Sequence, residues 1–155
     1  MPQLRHQGKH VFAWSIIRED NTLCLPPELI KEYHLEKNSD IILFNSSKTS
    51  GGFCISKLET LKSSKLSKII ENNPLLEDEE NIGQIIEYKG RDYCHLKLNG
   101  QNCINLSQII MDHFNLKTGD KLLIIRGSNI AFDCIHKGPL VKVANESNEE
   151  IKIID

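Results

Sequence analysis

Nowhere in this chain do about eighteen apolar residues run together, as a membrane-spanning helix requires, and the opening MPQLRHQGKH has no apolar core of the kind a secretory signal needs. Those two absences lead us to expect a cytoplasmic protein without membrane contact. Aromatic residues are scarce, at 6%, whereas the apolar (39%) and charged (26%) fractions are those of an ordinary globular chain. Neither sign of charge dominates: the formal net charge is −2, so the molecule as a whole has no strong pull on polyanions. The five cysteines, Cys24, Cys54, Cys94, Cys103 and Cys134, are odd in number and form no C-x-x-C pair, which argues against a disulfide framework and a zinc ribbon. Four of them lie in apolar, strand-like runs, where a reduced thiol acts as a small buried hydrophobe.

Catalytic signatures are missing too. There is no G-x-S-x-G, no dinucleotide fingerprint and no inward-facing carboxylate pair. Of the histidines His6, His10, His34, His95, His113 and His136, only His6 and His10 are four apart, and they lie outside any expected helix, so no metal is expected. Ser46 to Gly52 has the composition of a phosphate-cradling loop, but its glycines follow the lysine and a strand comes next, which reads as a long hairpin turn. The sequence therefore points to binding rather than catalysis, with no cofactor.

The charge that is present is segregated. Arg5 and Lys9 stand without an acid in the first ten residues, and Lys57, Lys62, Lys65 and Lys68 outnumber Glu59. Glu71, Glu77, Asp78, Glu79, Glu80 and Glu87 then face Lys89 alone. Such blocks can leave a basic face on a molecule that is acidic on average, although the four lysines also fit the polar side of a helix through Leu58, Leu61, Leu66 and Ile69.

At 155 residues the chain is long enough for one domain or two small ones, and self-comparison reveals an internal repeat. An offset of 81 pairs Leu25 with Leu106, Leu29 with Ile110, Tyr33 with Phe114 and Leu35 with Leu116. After a one-residue slip, an offset of 80 pairs Asp40 with Asp120, Ile42 with Leu122, Cys54 with Cys134 and Ile55 with Ile135, and Phe53 poorly with Asp133. Each unit reads as an alternating strand, a turn (Asp20-Asn21, Asn99-Gly100), a short strand, a brief helix and an apolar hairpin. Pro26-Pro27 opens the first helix and Ser107 caps the second. The expected organisation is unit one over 11–56, a helical and then acidic spacer over 57–83, unit two with a leading hairpin over 84–138, and a polar tail over 139–155. Ser56-Lys57-Leu58-Glu59 reads as a capping box opening the spacer helix, which Asn73-Pro74 closes. The expected core is Leu25, Leu29, Tyr33, Leu35 and Ile42 with Leu106, Ile110, Phe114, Leu116 and Leu122.

The order of strand, turn, strand ending in Leu25-Pro26 with Glu28-Leu29, helix, Leu35 to Asp40 and apolar hairpin resembles the AbrB/SpoVT swapped-hairpin family of DNA-binding regulators. Unit two repeats it through Leu106, Leu116 and Thr118-Gly119-Asp120. The resemblance covers most of the chain and implies a mainly β fold with short helices, in which hairpins of two units interleave into a barrel. It also implies duplex DNA as partner, with an intrachain pseudo-dimer or a homo-oligomer. Residues expected at the DNA are Arg18 and Lys31 of unit one, the arm residues Arg5 and Lys9, and Lys48 of the hairpin loop. Where the family carries arginines, Thr22, Asn102 or Cys103, Met111 and Asp112 stand here, so unit two lacks the binding charge. A protein-binding role on the same scaffold, using Glu77 to Glu80 or Glu146 to Asp155, is the alternative.

Overall fold

The computed structural model describes residues 5–6, 9–46, 48–146 and 151–155, and the side chains of Arg5, His6 and Lys9 are outside that description. The fold is mainly β. In order, the elements are β1 (Arg5–His6), β2 (Lys9–Ile16), β3 (Thr22–Cys24), α1 (Pro27–Glu32), β4 (Asp40–Asn45), β5 (Phe53–Lys57), α2 (Leu58–Lys62) and α3 (Lys68–Glu71). Two 3-10 turns follow, and then β6 (Ile85–Tyr88), β7 (Arg91–Lys97), β8 (Cys103–Asn105), α4 (Gln108–His113), β9 (Lys121–Arg126), β10 (Ala131–Ile135), α5 (Pro139–Glu146) and β11 (Ile153–Ile154).

The main sheet runs β1-β2-β9-β10-β5-β4-β7-β6, and β3 pairs with β8 in a separate ribbon. Read from either end, that order exchanges each strand for its counterpart in the other repeat. Neither repeat satisfies its own edges: β2 hydrogen-bonds to β9, β7 to β4 and β5 to β10, all antiparallel. The pairs are reciprocal, as an internal two-fold demands. Trp14 opposes Leu123 as His95 opposes Ile42, and the Ile17 amide donates to the Asp120 carbonyl at 2.9 Å as the Leu98 amide donates to that of Ser39 at 3.0 Å.

These pairs correct the expected alignment. The offset remains 81 through β4 and β9, with no slip before them: Asn38 and Gly119 share positive φ (64° and 87°), as do His34 and Asn115 (54° and 56°). The counterpart of Asp120 is therefore Ser39, not Asp40. Both side chains accept the amide three residues upstream at 2.8 Å, Ser39 Oγ from Glu36 and Asp120 Oδ2 from Lys117. The offset changes only past the unequal loops, where it becomes 79 and matches Phe53 with Phe132 and Ile55 with Cys134, all fully buried. Matching Asp40 to Asp120 by residue type conceals this and leaves Phe53 poorly paired with Asp133.

One core, shared by both repeats, fills the interior of the curved sheet, with Leu23, Leu29, Leu43, Phe53, Ile104, Ile110, Ile124 and Phe132 at its centre. Ile42 is buried but faces the opposite way, with Phe44 and Tyr93 under Leu58, Leu61, Ile70 and Leu76 of the spacer. Phe114 is only partly buried, packing edge-on against Phe53 with ring centroids 5.7 Å apart.

The spacer and tail also depart from expectation. The spacer helix breaks at Ser63-Ser64, and Leu66 in the break is exposed. Ser56 is no cap: it is buried in β5, where its hydroxyl donates to the Ile130 carbonyl at 2.9 Å. Part of the supposed polar tail is ordered as α5, which buries Val141 and Ala144 against Val11, Trp14, Leu123, Ile125 and Ile135. Phe53→Ala should cost about 3–5 kcal/mol in denaturant unfolding and Phe114→Ala distinctly less, since solvent already reaches that ring. Equal losses would contradict this placement.

Candidate nucleic-acid interface

The ribbon of β3 and β8 lies on the internal axis, because Leu23 opposes Ile104 and those two are counterparts at the offset of 81. It brings together the turn at Asp20-Asn21 and the turn over residues 99–102. Asn21 and Asn102 both adopt positive φ (67° and 61°), a conformation that asparagine tolerates better than most residues. The Leu25 amide donates to the Asn102 carbonyl at 3.2 Å, and the Leu106 amide to that of Asn21 at 2.8 Å, so each turn is tied to the strand leaving the other.

The turns are braced differently. In the first, the Asp20 carboxylate accepts from the Thr22 hydroxyl at 2.6 Å and from its amide at 3.1 Å. These bonds, the hydroxyl's foremost, hold the Asp20 carboxyl below its usual pKa, so it keeps its negative charge beside Arg18. In the second, Asn99 Oδ1 accepts from the amides of Gln101 at 2.8 Å and Cys103 at 3.0 Å. The helices begin next to the ribbon: Pro27 is the first residue of α1, and the Ser107 hydroxyl accepts the Ile110 amide at 3.3 Å to cap α4.

Cys24 and Cys103 oppose each other in the ribbon and are disulfide-bonded, with Cα atoms 3.9 Å apart. This corrects the expectation, drawn from the odd count, that the cysteines form no disulfide and that those in strand-like runs are reduced hydrophobes. The repeat held the signal: two-fold pairing about Leu23 and Ile104 sets the residue after the first opposite the residue before the second, and both are cysteine. The other three fit the simpler reading. Cys134 is buried with its thiol pushed well above its ordinary pKa by burial, Cys94 is buried with its thiol pushed up to about 11 for the same reason, and Cys54 is half-buried.

Arg18 is half-buried beside the ribbon and lines one groove with Cys24, Leu25, Pro27, Gln101 and Cys103. Its Nη2 donates to a main-chain oxygen of Asp155 at 3.0 Å, a partner the sequence does not suggest. Lys31 is exposed on α1, and Lys48 is exposed in the β4–β5 loop, which rests on β10 and the residues after it. There, Gly52 lies so close to Cys134 that a Cβ would fall 2.0 Å from its carbonyl oxygen. Neither lysine lines the Arg18 groove. The expected roles of Arg5 and Lys9 concern side chains outside the described residues. Exposed Glu19, Asp20 and Glu28 lie on the same turn and helix as Arg18 and Lys31, so the surface is mixed in sign rather than basic. No helix of the described residues is long and apolar enough to cross a membrane.

No known protein-family model matches the chain, and no curated protein is significantly similar to it. Denatured without reductant, the protein should expose three alkylatable thiols, rising to five after reduction. Five before reduction would remove the bond across the axis.

Proposed function

We propose that this chain is a DNA-binding regulator of the swapped-hairpin type, in which tandem repeats form within one chain the interleaved unit that the resembling family builds from two. The observation that carries this reading is the palindromic strand order about the β3–β8 ribbon, across which each turn is hydrogen-bonded to the strand leaving the other. Because each repeat completes the other, a monomer suffices to make that arrangement.

In this reading, α1 and the first turn meet the phosphate backbone through Lys31 and Arg18, with Arg5, Lys9 and Lys48 as further contacts. Unit two, with Met111 and Asp112 at the matching helix positions, supplies structure rather than charge. Few groups are placed to read guanine edges, so discrimination rests on DNA shape and deformability. The acids of the same surface suit a second reading, a module that docks a basic protein partner through Glu19, Asp20 and Glu28.

Fluorescence anisotropy with a labelled duplex decides between them. If DNA is the ligand, log affinity falls linearly with log salt, by about 0.9 for each phosphate neutralised. Lys31→Ala should flatten that slope by about one unit while leaving thermal stability unchanged. Absence of salt-sensitive binding at low ionic strength would leave the protein-partner reading.

A further inference from the structure

Among the described strands, β11 alone has no counterpart in the palindromic order. The outer edge of β7 is covered by β6 over four residue pairs, from Ile85 opposite Cys94 to Tyr88 opposite Arg91. The matching edge of β2 is covered piecemeal. β1 takes one end through two pairs, and β11 takes the other in parallel, with Ile153 opposite Trp14 and Ile154 opposite Ser15.

This last attachment is slight. A two-residue parallel pairing offers few hydrogen bonds, of the less stable kind. The Trp14 amide donates to the Lys152 carbonyl at 2.8 Å, but Ile153 remains 56% exposed and so gains little from burial. The segment nevertheless reaches Arg18 at the candidate interface. A main-chain oxygen of Asp155 accepts from the Arg18 guanidinium at 3.0 Å, and residues 152–155 line the groove beside the Cys24–Cys103 bond. In the DNA-binding reading, that oxygen takes the place at Arg18 that a phosphate oxygen would occupy.

We propose that residues 151–155 form a displaceable strap that occupies the phosphate-binding position at Arg18, so that duplex DNA binds weakly while the strap is docked and more tightly once it leaves. The inference rests on the DNA-binding reading above and adds its regulation. The docked fraction sets the loss of affinity, because the docked segment takes a donor of Arg18 and narrows the groove through which a phosphate would reach it. Bulk electrostatics is not the cause: the segment carries one cation, Lys152, and one anion, Asp155, so removing it leaves the side-chain charge unchanged.

The test compares the full chain with a variant lacking 151–155, each with and without Arg18→Ala, by anisotropy on a labelled random-sequence duplex at low salt. Ile154→Pro serves as a second variant of full length, since proline cannot donate to the pairing. Both strap variants should bind several-fold more tightly than the full chain, and Arg18→Ala should erase the gain. In the full chain, saturating duplex should also speed hydrogen exchange at the Trp14 amide. If the full chain binds duplex and the strap variants bind it equally or less well, the strap is a structural edge cover and the inference falls while the DNA reading stands. If no form binds duplex at low salt, the DNA reading falls and takes the strap's proposed role with it.

Discussion

Hydrogen-bonding groups along the edges of β2, β4, β5 and β7 find their partners in the opposite repeat, and the rest of the molecule follows from that constraint. A strand edge left bare is costly when buried and invites aggregation when exposed. A unit of this size, folded alone, would present several such edges together with half a core. Exchange of strands removes both problems at once, because the pairing that satisfies the edges also brings Phe53 and Ile55 against Phe132 and Cys134 in one interior. The three-residue ribbon of β3 and β8 sits on the axis of that exchange, and the disulfide between Cys24 and Cys103 joins the repeats there covalently.

Strand exchange buries the inner face of the sheet but leaves two outer faces apolar. Each is covered by the helix that follows the last hairpin of a repeat. After β5, the spacer lays Leu58, Leu61, Ile70 and Leu76 over Ile42, Phe44 and Tyr93; after β10, α5 lays Val141 and Ala144 over Trp14, Leu123 and Ile125. The spacer is thus part of the folded body rather than a linker, and its acids are partly engaged. Glu77 meets Lys62 across the spacer, and Glu79 meets Lys97 at 2.6 Å. The acidic block is accordingly less available to a partner than its composition suggests.

Much of this is legible in the sequence, where apolar periodicity and turn chemistry mark the repeat, the order of strands and helices within each unit, and a part of the core that includes Leu25, Leu29, Leu106 and Ile110 but not Leu43, Phe53, Ile124 or Phe132 at its centre. What escaped has physical causes. Residue type misled the alignment at Asp40, because Ser39 performs the work of Asp120 with a hydroxyl in place of a carboxylate. Ser56 matched a cap by spacing, yet tertiary pairing drew it into a buried strand. Cys24 and Cys103 are 79 residues apart and only the two-fold register makes them neighbours. Of the candidate contacts, Arg18 is singled out by its place at the turn, but its partner in a segment far along the chain leaves no local periodicity to read.

The account stands or falls on strand exchange between the repeats. Cross-strand nuclear Overhauser effects in the isotope-labelled protein test it most directly. Backbone contacts from Ser15 to Leu122, from Ile42 to His95 and from Thr22 to Asn105 are the result the account predicts. Contacts that instead pair β2 with β4 and β7 with β9, each within its own repeat, would contradict it.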